Sequence, residues 1–227
     1  MGHVHVHQPH ELSDKSAETD DRPAGIERVL EIVAVLLMSV TTLATAWSGY
    51  QAARWSGEQS QSFARASATR IKAQQQTTAA GQTRIDDLLY FNGWLDARQA
   101  GDRRLATIYE RRFRHEFVPA FRAWLSQRPF TNPRAVPGPL YMPQYRLAAT
   151  TRAAKLDRQA DALYLQGTEA RSNDDKYILS TVFFASVLFF AGISLRLLWR
   201  PLRMVVLGLA AVMLVVGLGF VLSLPVE

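Results

Sequence analysis

Cysteine is absent from the 227 residues, and this excludes a disulfide framework, cysteine-ligated zinc, iron–sulfur clusters and thiol catalysis. Histidine is nearly absent too. Four of the five lie in the first ten residues (His3, His5, His7, His10), which leaves only His115 beyond them. A zinc-protease HExxH starting at His115-Glu116 fails because Pro119 stands where the second histidine is needed. No GxxxxGK[ST], GxGxxG or GxSxG occurs. With no catalytic or cofactor signature, the chain is expected not to be an enzyme and to carry no cofactor and no resident metal.

Charge is missing from three long stretches. Ile32 to Ala53 runs 22 residues without a charged side chain, Tyr177 to Leu195 runs 19 and Met204 to Val226 runs 23. About 20 mostly apolar residues cross a hydrocarbon core of roughly 30 Å, so each stretch reads as a transmembrane helix. The expected spans are 29–53, 177–199 and 203–226, the last two forming a hairpin around Arg196, Arg200 and Arg203. None of the runs has a charge at its centre, which argues against a self-contained pump or ion path.

Charge elsewhere is plentiful and uneven. The formal net charge is +6. Residues 1–31 hold seven acids against Lys15, Arg22 and Arg28, whereas residues 50–176 hold twenty Lys and Arg against twelve Asp and Glu. The first 25 residues are charged, rich in Ser, Pro and Asp, and without periodicity beyond a short His/Val alternation, so 1–25 is expected to be a disordered tail. Its imidazoles suit Cu, Ni or Zn, but a solvated tail that meets metal only adventitiously is the reading adopted. A cleavable signal peptide is not expected, because the first apolar run starts late and has an acidic lead.

The segment AWSGYQAARWSGEQ, residues 46–59, closes the first run with Trp47, Tyr50 and Trp55, rings that favour a membrane interface. It resembles the membrane-exit segment of an uncharacterised bacterial membrane protein family built as one N-terminal transmembrane helix, a helical extramembrane domain and a C-terminal two-helix hairpin. The resemblance implies a bacterial source and assigns no chemistry, since that family has no known function.

Between the spans, residues 54–176 read as a helical extramembrane domain. A first stalk runs to about residue 81 with a thin stripe through Phe63, Ala66 or Ser67, and Ile71. Gly81 and Thr83 then punctuate, with Thr83 and Asp86 spaced as a capping box. A second helix is predicted over Arg84 to Ala100 with Ile85, Leu88, Leu89, Trp94 and Leu95 on or near one face. Gly101 ends it and Asp102 can cap a third, whose buried face is Leu105, Ile108, Tyr109, Phe113, Phe117, Ala120, Phe121 and Trp124. Pro119 is expected to kink or break that helix. Residues 128–145 hold five prolines and a glycine, an irregular loop whose aromatics are expected to pack on the bundle. A last stalk begins near Arg146. The two stalks, about 54–81 and 146–176, each rise roughly 40–45 Å at 1.5 Å per residue. Their match predicts an antiparallel, four-helix-bundle-like domain continuous with two of the spans, in an all-α membrane protein of three crossings.

On the predicted third helix Arg104, Arg111 and Arg122 project in one direction, with Arg103 and Arg114 beside them. This basic face is the candidate contact surface, facing solvent, anionic headgroups or an acidic partner. Nucleic acid is excluded as a partner for want of a docking motif. Asp86 and Asp87 are explained by capping and dipole compensation at a helix start, with a catalytic carboxylate pair as the alternative.

Orientation follows from the Lys and Arg of the short loops: the Arg196 to Arg203 turn holds three arginines and the tail adds Lys15, Arg22 and Arg28, while the C-terminus has no Lys or Arg, so the tail and turn are expected in the cytoplasm and 54–176 outside. The reading is a multi-pass protein of a bacterial inner membrane. Its partners are the bilayer and either another protein or a second copy, and its role is non-enzymatic interaction or scaffolding. A ligand-sensing or transport-accessory subunit is the first alternative, and a membrane-bound hydrolase using Asp86 or Asp87 the second.

Overall fold

The computed structural model describes residues 25–227. The expectations for the tail, including His3, His5, His7 and His10, fall outside the described residues. Among the described residues every regular element is helical: α1 (Gly25–Gln99), α2 (Arg103–Arg111), α3 (Val118–Ser126), a short 3-10 turn (Pro139–Tyr141), α4 (Ala148–Ser194) and α5 (Arg200–Leu222). Three of these helices, α1, α4 and α5, contain segments long and apolar enough to cross a membrane. The chain divides into two units, one of 25–47 with Ser180–Ser223, the other of Ser48–Leu179 with Leu224–Glu227.

In the first unit the hydroxyls of the apolar α1 run are satisfied within the helix. Ser39, Thr41, Thr42 and Thr45 each donate to the carbonyl four residues earlier, at 2.6–2.8 Å, which spares these four hydroxyls from lying open on an apolar surface. Burial recurs in steps of three and four, at Ala34, Leu37, Thr41 and Ala44 on α1, at Ser180, Phe184, Val187 and Ala191 on α4, and at Leu207, Ala210, Leu214, Gly217 and Val221 on α5. A period of 3.5 keeps one narrow stripe inward along a packed helix. Gly217 allows a close approach: a Cβ there would lie 2.7 Å from the Phe184 ring. The opposite faces are apolar and exposed, including Leu36, Leu43, Phe189, Val212 and Val216. At one end Arg200 donates from Nη2 and Nε to Glu27 Oε1, at 2.6 and 3.0 Å, and Arg203 lies 3.9 Å from Glu31.

The second unit is built on an antiparallel pair, residues 48–99 of α1 and 148–179 of α4. Register falls on one helix as it rises on the other: Arg70 pairs with Asp161 at 2.6 Å, and the Phe63 ring packs tilted against Tyr164 with centroids 5.3 Å apart. The pair's small residues do the close packing. Ala52, Ala66, Ala73 and Ala80 are buried on α1, and Ala153, Ala160, Gly167 and Ala170 on α4. A Cβ on Gly167 would come 2.5 Å from the Phe63 ring. Ile71, expected on this stripe, is exposed instead, because the seven-residue repeat carries the seam through Ala73.

The expected break at Gly81 does not occur, and α1 continues to Gln99. Thr83 donates to the Ala79 carbonyl at 2.8 Å instead of capping a new helix. One glycine costs a helix only about 1 kcal/mol, and the burial of Ala80 beside it helps hold the ladder together. Asp86 and Asp87 therefore sit in mid-helix, and their explanation as first-turn carboxylates is corrected. The register of burial differs in part from the expected one: Trp94 is buried and Leu95 packs against the core as expected, but Ile85, Leu88 and Leu89 are exposed, while Asp87, Phe91 and Ala97 are buried.

Gly101, at φ +76°, turns the chain out of α1 in a conformation that favours glycine. Asp102 caps α2 as expected, accepting from the Leu105 amide at 2.9 Å. The single amphipathic helix expected beyond it is two nine-residue helices. Pro119 opens α3 from its first turn, where a missing N–H removes no intrahelical bond. Phe113, Phe117, Phe121 and Trp124 still converge with Phe91, Trp94 and Met142 in one core, but Leu105 and Ile108 are exposed. Edge-to-face ring pairs organise that core, with Trp94 and Phe121 centroids 4.8 Å apart and Phe91 and Trp124 5.1 Å. Because α1 absorbs residues 84–99, the two short helices share a core with one end of α1 only, within residues 91–142.

The Pro-rich loop is fastened to this core through polar groups. Trp124 Nε1 donates to the Val136 carbonyl at 2.9 Å, and the Val136 amide donates to Gln127 Oε1 at 3.1 Å. Met142 is buried and Leu140 and Tyr145 are partly buried against the core, while Phe130 and Tyr141 remain exposed.

Candidate functional site

The five arginines of the expected basic face are divided by the break between α2 and α3. Arg103, Arg104 and Arg111 lie on α2, Arg114 in the connection and Arg122 on α3. All but Arg114 are exposed. A single stripe at 3.6 residues per turn requires one helix through all of them, and residues 112–117 are not helical, so the common direction inferred for Arg104, Arg111 and Arg122 is corrected.

Arg114 is instead an internal clamp. Its Nη2 donates to Asp87 Oδ2 at 2.8 Å, its Nε to Asp87 Oδ1 at 3.3 Å and its Nη1 to Glu116 Oε2 at 2.8 Å. Tyr145 donates its hydroxyl to the same Asp87 Oδ2 at 3.0 Å. The Asp87 side chain is buried, and a buried carboxylate is tolerated when its lone pairs are filled by charged and neutral donors. The hydrogen bond to Asp87 raises the Arg114 pKa further above its ordinary value. Burial, followed by the bond to Asp87, pushes the Tyr145 phenol well above the usual tyrosine range. Glu116 is lowered by its own backbone amide and by Arg114. This cluster ties α1, the α2–α3 connection and the end of the Pro-rich loop together. Its partner carboxylate, Asp86, is exposed, since neighbours on a helix point about 100° apart.

Beside the aromatic core a cavity of about 290 Å³ opens between α1, α2 and α3, lined among others by Trp94, Arg98, Arg103, Thr107 and Glu110. It adds Arg98 and Glu110 to the candidates. Neither stands out in the sequence, because the two become neighbours only through the turn at Gly101.

A third group of polar contacts surrounds the segment after α5. Trp55 Nε1 and the Tyr177 hydroxyl both donate to the Pro225 carbonyl, at 3.2 and 3.1 Å, and the Glu227 amide donates to Gln51 Oε1 at 3.1 Å. Sequence alone signals Trp55 as an interface aromatic and Tyr177 as the first residue of an apolar run; contacts to a backbone carbonyl leave no residue pattern to read.

Compared with known proteins, the chain matches no family model, and no curated protein and no solved structure is similar to it.

Proposed function

We propose that the chain is a multi-pass membrane protein with spans at 29–53, 177–199 and 203–226, whose 54–176 region lies outside the cytoplasm and works as a non-enzymatic interaction or scaffold domain. The observation that carries the reading is the contrast between the units. In the first, the exposed faces of three membrane-length helices are apolar, with Leu36, Leu43, Phe189, Val212 and Val216 open; soluble monomers rarely present such surface to water. In the second, the exposed surface carries most of the chain's charge. Arginines at 196, 200 and 203 favour a cytoplasmic turn, and the resemblance of residues 46–59 favours a bacterial inner membrane. The four helical segments of 54–176 form, in this reading, an antiparallel bundle-like domain in which the short helices close one end of the long pair.

The bilayer is one partner, and the exposed arginines of α2 and α3 suit an acidic protein surface or a second copy of the chain. A crosslinking and mass-spectrometry census in native membranes tests this. Reproducible crosslinks from 54–176 to one protein or to another copy support the reading, and recovery of neither contradicts it.

A ligand-sensing or transport-accessory role is the second reading, favoured by the cavity at Trp94. Arg98 and Arg103 line it with positive charge and Glu110 with negative charge, so the complementary ligand is a small zwitterion of the amino-acid class. Calorimetric titration with a panel of free amino acids supports this reading if saturable binding is lost in Arg98→Ala/Arg103→Ala; absence of binding at millimolar concentration contradicts it.

A further inference from the structure

We infer that Leu224–Glu227, the segment following α5, is a releasable latch held on the α1–α4 pair by recognition of its backbone, and that its release admits water to the Ser48–Gln51 step of α1. Two donors from different helices, Trp55 Nε1 of α1 and Tyr177 Oη of α4, converge on the Pro225 carbonyl, and Gln51 Oε1 accepts from the Glu227 amide. No side chain of the segment takes part in these three bonds. Pro225 contributes a fixed φ and no competing N–H, which pre-sets the backbone for the clasp.

The closed state is not fully satisfied. Ser48 and Gln51 are completely buried, and among the described residues Ser48 Oγ and Gln51 Nε2 have no hydrogen-bond partner. A buried donor left without an acceptor costs more than a typical formed hydrogen bond contributes. Three bonds that close the latch are therefore set against two orphaned groups that water satisfies when it opens. That near balance makes the segment a switch instead of a permanent strap.

The chain has no native cysteine, so single-cysteine labelling reads the latch directly in the full-length protein reconstituted in lipid nanodiscs. Ser48→Cys reports water entry one helical turn before Gln51, the residue that accepts from the segment, and Ser62→Cys, buried elsewhere in the same helix pair, reports general loosening. Trp55→Phe/Tyr177→Phe removes both donors to Pro225 while keeping the rings. The expected result is about a tenfold or greater rise in the labelling rate of Ser48→Cys by a small water-soluble thiol reagent, with Ser62→Cys unchanged. Val226→Ala, which alters a side chain the clasp does not read, leaves both rates as they were. An unchanged Ser48→Cys rate in the double variant overturns the latch, as does an equal rise at both reporters. Neither result bears on whether 54–176 binds a partner.

Discussion

Asp87 and Arg114, 27 residues apart, meet through two hydrogen bonds of 2.8 and 3.3 Å, and the carboxylate is buried where the guanidinium is about one-third exposed. The asymmetry predicts unequal costs. Arg114→Leu leaves a buried carboxylate with Tyr145 as its remaining side-chain donor and is expected to destabilise the second unit by about 2–4 kcal/mol, below the range for wholly buried pairs. Asp87→Asn, which keeps an acceptor, costs about 1–3 kcal/mol. The double variant costs less than the two together. Thermal unfolding followed by the fluorescence of Trp94 and Trp124 measures all three.

Tyr145 makes the same cluster sensitive to alkali. Its pKa is raised on folding by burial and by the bond to Asp87, so the folded state holds this proton more tightly than the unfolded one. Its contribution is fully present below the ordinary tyrosine range of about 10 and declines as pH rises beyond it. Tyr145→Phe is expected to be less stable at neutral pH and to lose this component of the alkaline decline. Melting temperatures from pH 7 to 11 distinguish the two profiles.

Gly167 and Phe63 form a size-matched contact in the helix pair. Gly167→Ala places a Cβ within about 2.5 Å of the ring and is expected to cost about 1–3 kcal/mol through overpacking, against a gain of about 1 kcal/mol in helix propensity. Phe63→Ala in the same chain relieves the clash. A coupling of at least about 0.5 kcal/mol in that cycle, read from thermal shifts, is the expected result.

Phe117 is completely buried among aromatic rings. Phe117→Ala is expected to destabilise the core it shares with α1 by about 3–5 kcal/mol, while Phe130→Ala, which removes a more exposed ring paired with Trp124 at 5.9 Å, costs less, about 0.5–1.5 kcal/mol. Limited proteolysis within 112–142 ranks the two.

Some of this architecture is legible in the sequence for a physical reason. Charge-free runs at 32–53, 177–195 and 204–226 each coincide with a helix long and apolar enough to cross a membrane, since no other constraint excludes charge for so long. The aromatic set from Phe113 to Trp124 also announces a core, and it survives the helix break because a core is fixed by ring packing more than by helix register. The α1–α4 seam is harder to read. Phe63 and Ala66 are read from the sequence, but Ala73 and Ala80 carry the rest of it, and a hydrophobic scan prefers Ile71, Ile85 and Leu89, which are exposed. Gly81 and Thr83 resemble punctuation only while their contacts within α1 are unknown. The Asp87–Arg114 clamp and the Pro225 clasp join residues distant in sequence, one by charge and one by backbone, and local periodicity registers neither.

The central claim is that three segments cross a bilayer and leave 54–176 and the Arg196–Arg203 turn on opposite sides. Single cysteines at Arg104 and Leu198 in sealed, right-side-out cells, treated with a membrane-impermeant thiol reagent, test it most directly. The account predicts that Arg104→Cys labels in intact cells with only the outer envelope opened and that Leu198→Cys labels only after the inner membrane is permeabilised. Labelling of both positions on the same side contradicts it.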